Sequence, residues 1–123
     1  MSARLNLALL ALSQGRFGEA HRQAERAAIA AEAADQRGLL GCAGLIMLPH
    51  LALANAREDW KVHLHRSKRL LIESGFVDVD VAWTAELAAG LAKERGWIED
   101  AAELHDLAQI SCRSLGMKSM DAA

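Results

Sequence analysis

Few side chains in this sequence offer chemistry, and their spacing decides what they can do. Five histidines and two cysteines are spread over 123 residues. His63 and His65 are two apart, so on a helix they project to nearly opposite sides and cannot share a metal ion; helical zinc sites use i, i+4 spacing. His50 follows Pro49 inside an apolar run. There the proline leaves backbone carbonyls without donors, and His50 is expected to satisfy one of them or to line a groove. His105 and Cys112 stand two helical turns apart. A cysteine nucleophile needs a base in reach and a third group to orient it, and no such set is visible. Asp78 with Asp80 fits a helix cap. Glu99 with Asp100 and Glu103 fits a first helical turn, where the macrodipole favours negative charge. Neither set requires acid–base catalysis. The glycines stand mainly as helix stops, with no phosphate-binding loop among them. The expectation is a chain without a catalytic, metal or cofactor site. The densest charge is a basic arc, Lys61, His65, Arg66, Lys68 and Arg69. It could bind an acidic peptide or phosphate, or simply solvate its helix.

These residues must be held by something, and the composition says what. Half of the sequence is hydrophobic (52%), enough for one domain with a core. Aromatics make up only 4%, so the core is built from small side chains. A net charge of −2 argues against a general nucleic-acid binder. Cys42 and Cys112 lie far apart in apolar contexts, as buried thiols of a reducing, cytoplasmic compartment would. The run Leu39 to Ala56 carries no charge and must be buried on most sides. Its length approaches that of a membrane span, but Pro49, His50 and the lack of a one-sided positive flank favour a core helix. Arg4 and the apolar run behind it lead to no signal-peptide cleavage site. Helical sequence begins almost at Met1, so the chain is expected to be a segment of a longer protein.

Six helices are expected. Leu5, Leu9 and Leu12 mark the first, broadened by Leu7 and Leu10 and closed by Gly15. An alanine face, Ala20 to Ala34, marks the second, ended by Gly38. The apolar run is the third. The fourth opens at Asp59 as N-cap, turns Trp60, Leu64, Ser67 and Leu71 inward, and stops at Gly75. The run Phe76 to Val81 alternates like a strand, but a lone strand has no partner, and a loop capped by Asp78 or Asp80 is expected instead. Trp83, Leu87 and Leu91 give the fifth helix, ending near Gly96. Ala101, Leu104, Ala108, Cys112 and Leu115 give the sixth, ended by Gly116. The tail from Met117 is expected to fray.

The hairpin turns look alike: Gly15 to Ala20, Ala56 to Trp60, Arg95 to Ala101. Aligning Phe17, Trp60 and Ile98 gives spacings of 43 and 38 residues, within the range of helical-pair repeats. Leu7, Gly15, Phe17, Ala20, Ala24 and Ala27 in the first unit, and Gly96, Ile98, Ala101 and Ala108 in the third, carry a resemblance to the tetratricopeptide repeat family. In the second unit Glu58 replaces the turn glycine and His63 a small residue. The long repeat is similar to the degenerate arrays of bacterial ATPase-linked transcriptional activators and large signalling kinases. The resemblance implies an all-α domain over residues 1–123. Its three antiparallel hairpins, about 1–38, 39–77 and 78–120, would stack as a superhelix.

The family's first helices line a concave groove. The resemblance would place Leu5, Leu9, Leu12, Leu45, Leu48, Ala52, Asn55, Trp83, Glu86, Gly90 and Lys93 there. Leu5, Leu9 and Leu12 could equally be core. The implied function is a non-catalytic interaction or scaffold module that binds a protein or peptide, or regulates adjacent signalling domains, without nucleic acid or membrane. The leucine-rich first helix suggests a homodimer. The alternative is a small helical enzyme or ligand-binding bundle using His50, His105 and Cys112, or a self-assembly element.

Overall fold

A computed structural model describes residues 3–76 and 78–116. The chain is all-α: α1 (Ala3–Ser13), α2 (Phe17–Ala33), α3 (Arg37–Leu53), α4 (Arg57–Ser74), α5 (Val79–Glu94) and α6 (Ile98–Ser114). It divides into two compact units, Met1–Phe76 and Val77–Ala123. In the first, α2 packs on both α1 and α3, and α3 packs on α4; in the second, α5 packs on α6. Connections this short make the joined helices antiparallel hairpins. The expected fraying of the tail falls on residues outside those described.

One turn is used repeatedly, and it explains where every helix stops. Gly15, Asp35, Asn55, Gly75, Gly96 and Gly116 all have φ between +53° and +82°. They recur every 20 residues, with one step of 21 between Gly75 and Gly96. A left-handed residue just past a helix lets the next N–H groups turn back onto the last free carbonyls. Accordingly the N–H groups of Arg16, Gln36, Ala56 and Trp97 donate to the carbonyls of Ala11, Ala31, Leu51 and Ala92 at 2.8–3.0 Å. The carbonyls of the same four residues then accept from Ala20, Leu40, Trp60 and Ala101 in the next helix. A single residue thus closes one helix and opens another, which is why these helices begin without a side-chain cap.

This turn corrects several expectations. Gly38 does not end α2; Asp35 does, and Gly38 lies inside α3, where an added Cβ would meet Phe76 at 2.7–2.9 Å. Asp59 is not the cap of α4 but lies in its first turn, behind Ala56. The helix starts Phe17, Arg57 and Ile98 are the equivalent positions. Trp60 therefore corresponds to Ala20 and Ala101, three residues from the alignment that the sequence suggested. Asp78 does cap α5, its carboxylate accepting from the Asp80 N–H at 2.7 Å.

The cores follow from side-chain size. In α2 the buried residues are Ala20, Ala24, Ala27 and Ala31, one stripe at helical spacing. Gly41 through Pro49 of α3 are buried in unbroken series, and the helix runs through Pro49. In α4, Trp60, Leu64, Ser67 and Leu71 are buried, as expected. α5 reverses its expected face. Its small residues Ala82, Ala85, Ala88, Ala89 and Ala92 are buried, whereas Leu87 and Leu91 are half-buried and Trp83 is exposed. In α6, Leu104, Ala108 and Cys112 are buried, and Leu115 is an exposed C-cap.

Candidate functional site

Across α2, α3 and α4 the first unit has a cleft of about 180 Å³. Each helix supplies a stripe at i, i+3, i+4 or i+7 spacing. From α2 come His21, Glu25, Ala28, Ile29 and Glu32; from α3, Leu40, Gly44 and Met47; from α4, His63, Arg66 and Ser67. α3 forms the floor, and Gly44 lets it come close to α4: a Cβ there would run into the Ser67 hydroxyl.

The polar groups divide between the walls. His21 Nε2 pairs with Glu25 Oε1 at 3.0 Å, one turn further along α2. The His21 ring also lies 4.9 Å from that of His50, tilted by 45°. His63 stands on α4. Burial, and after it the charge of His21, hold its imidazole below the ordinary histidine range, so it is neutral at neutral pH. At the rim, Arg66 reaches Glu32 at 3.5 Å, joining α4 to α2 between exposed side chains. Ile29 is left 71% exposed.

The second unit carries a different polar contact. His105 Nδ1 of α6 meets Glu86 Oε1 of α5 at 2.6 Å, both side chains about two-thirds buried. Cys112 is fully buried. Seven residues of helix place it about 10 Å along the axis from His105, too far for a base to take its proton. His50 belongs to the other unit. Among the described residues no three His, Cys, Asp or Glu side chains are grouped to hold a metal ion, and no helix is long and apolar enough to cross a membrane.

The expected groove residues do not line this cleft. Leu5, Leu12, Leu45, Leu48 and Ala52 are core side chains with at most 2% exposure. Leu9 is half-buried. Asn55 is the left-handed residue of a turn. Trp83, Gly90 and Lys93 are exposed on α5, and Glu86 is engaged by His105. Of the basic arc, Arg66 enters the cleft, Lys61, His65 and Arg69 are exposed on α4, and Lys68 is half-buried.

Sequence reasoning passed over His21, Glu25, Ile29, Glu32 and Met47. The available signal was the i, i+4 pair His21 and Glu25 on a helix whose buried stripe is alanine. What it lacked was the register that sets α2 opposite α4. Comparison with family models, curated proteins and solved structures finds no match.

Proposed function

We propose that this chain is a non-catalytic interaction module that holds a segment of a protein partner in the α2–α3–α4 cleft. The observation that carries this is the cleft itself: three consecutive helices of a repeating architecture leave a mixed apolar and polar recess, with Ile29 exposed at its edge. Stacked helical repeats present extended surfaces of this kind to polypeptides. The buried thiols Cys42 and Cys112, outside any disulfide, support a reducing location such as the cytoplasm. Selecting a displayed library of random peptides against the full chain tests the proposal. Enriched peptides should bind wild type and lose at least tenfold in affinity to Ile29→Glu and Arg66→Glu, both exposed positions that tolerate change. Peptides that bind both variants as well as wild type would refute the cleft as the site.

A second reading rests on α1. Leu7 and Leu10 are 52% and 54% exposed, while Leu5 and Leu12 are core. Pairing of two chains through Leu7 and Leu10 would cover them. Sedimentation equilibrium should then show a dimer that Leu7→Glu with Leu10→Glu dissociates; a wild type that is monomeric at high micromolar concentration rules this out.

A further inference from the structure

Apolarity alone does not describe the lining of the cleft. Met47, with its thioether, His21 and His63, with their imidazoles, and Arg66, with its guanidinium, line it from three helices. Each of these groups favours an aromatic ring over an alkyl chain. Sulfur packs well at a ring edge, a guanidinium over a ring face, and two rings in offset or edge-to-face contact. His21 already makes one such contact, with His50 at 4.9 Å.

Size points the same way. The cleft measures about 180 Å³, and a cavity of about 150 Å³ takes one benzene ring. The rim can open to admit it. The Arg66–Glu32 pair is long, at 3.5 Å, and solvent-exposed, so little holds it against displacement. Freed from Glu32, the Arg66 guanidinium can lie over a bound ring. Ile29 at the edge supplies an apolar shoulder for the residues on either side of the inserted one.

We propose that the cleft accepts the side chain of a phenylalanine, tyrosine or tryptophan presented by a partner polypeptide. This rests on the cleft being the partner site. The test uses the isotopically labelled full chain, titrated separately with N-acetyl-phenylalaninamide, N-acetyl-tryptophanamide and N-acetyl-leucinamide and followed by amide chemical shifts. The aromatic amides should shift residues of the cleft walls and bind at least fivefold more tightly than the leucine amide. Met47→Leu, which keeps the volume and removes the sulfur, and Arg66→Gln should each narrow that ratio, with dispersed spectra showing that both variants stay folded. A leucine amide that binds as well as the aromatic ones, or aromatic shifts that fall outside the cleft, would overturn the proposal. Library peptides that occupy the cleft through aliphatic anchors would overturn the aromatic preference alone. A library without any cleft-directed peptide would overturn the site and this inference with it.

Discussion

Histidines meet a facing helix in both units, with opposite results. In the second unit His105 finds a carboxylate: Glu86 closes on it at 2.6 Å, and the space between α5 and α6 is filled by a satisfied polar contact. In the first unit His63 faces His21, whose nearest carboxylate, Glu25, sits on its own helix. There the walls are joined by the long, exposed Arg66–Glu32 pair at 3.5 Å, and a recess stays open. The same residue type therefore clasps one helix pair and lines a cleft in another. The difference lies in what the opposite helix offers, and in α3 standing between α2 and α4 as a floor.

The strongest way to break the contrast is to remove what fixes the position of α4. Trp60 is fully buried, where the equivalent positions of α2 and α6 carry only alanine. Trp60→Ala should cost about 3–5 kcal/mol, read from the urea midpoint, and should abolish binding in the cleft. A loss below about 1 kcal/mol would mean that α4 is held by something else. Next comes α2. Ala20 is fully buried, so Ala20→Leu should overpack its contacts and cost about 1–3 kcal/mol. An unchanged midpoint would show that the alanine stripe yields easily. Opening the clasp of the second unit is a smaller change. Glu86→Gln keeps the shape and weakens the bond to His105, for about 0.5–1 kcal/mol at this partial exposure.

The smallest effect is a pH dependence. His63 is held below its ordinary value in the folded chain, so the folded state binds fewer protons than the unfolded one between the two values. Its contribution is complete above about pH 6.5, the unfolded value, and is lost as the pH falls through the folded value. His63→Gln should flatten the stability profile between about pH 7.5 and 5, by a small amount because solvent screens this half-buried group. A variant with the same slope as wild type would place the proton uptake elsewhere.

Much of the fold was legible because it is written in local patterns. The inner face of α4, the stops at Gly15, Gly75, Gly96 and Gly116, and the Asp78 cap all follow from spacing and backbone preference within one or two turns. The misplaced boundary at Gly38 has a physical cause. Asp35 and Asn55 adopt the left-handed conformation without being glycine, which Asp and Asn tolerate better than other side chains. A search that trusts glycine alone misses them, and with them the 20-residue step. The cleft was less legible because it depends on which faces of α2 and α4 end up opposite each other. That register rests on the turns at Asp35 and Asn55, the two that glycine does not mark. In α5 the large side chains suggested an inner face, but the alanines are buried.

The turns that close one helix and open the next have a consequence for how the chain reaches this structure. With three residues in each of these connections, the helices that pack together are mostly consecutive, and their contacts join residues close in sequence. Only small loops need closing before those contacts form, so little chain entropy stands in the way of the early steps. Low contact order of this kind goes with folding in microseconds to milliseconds. The leading hairpins can therefore assemble while later helices are still emerging from the ribosome, since synthesis adds only about 5–20 residues per second.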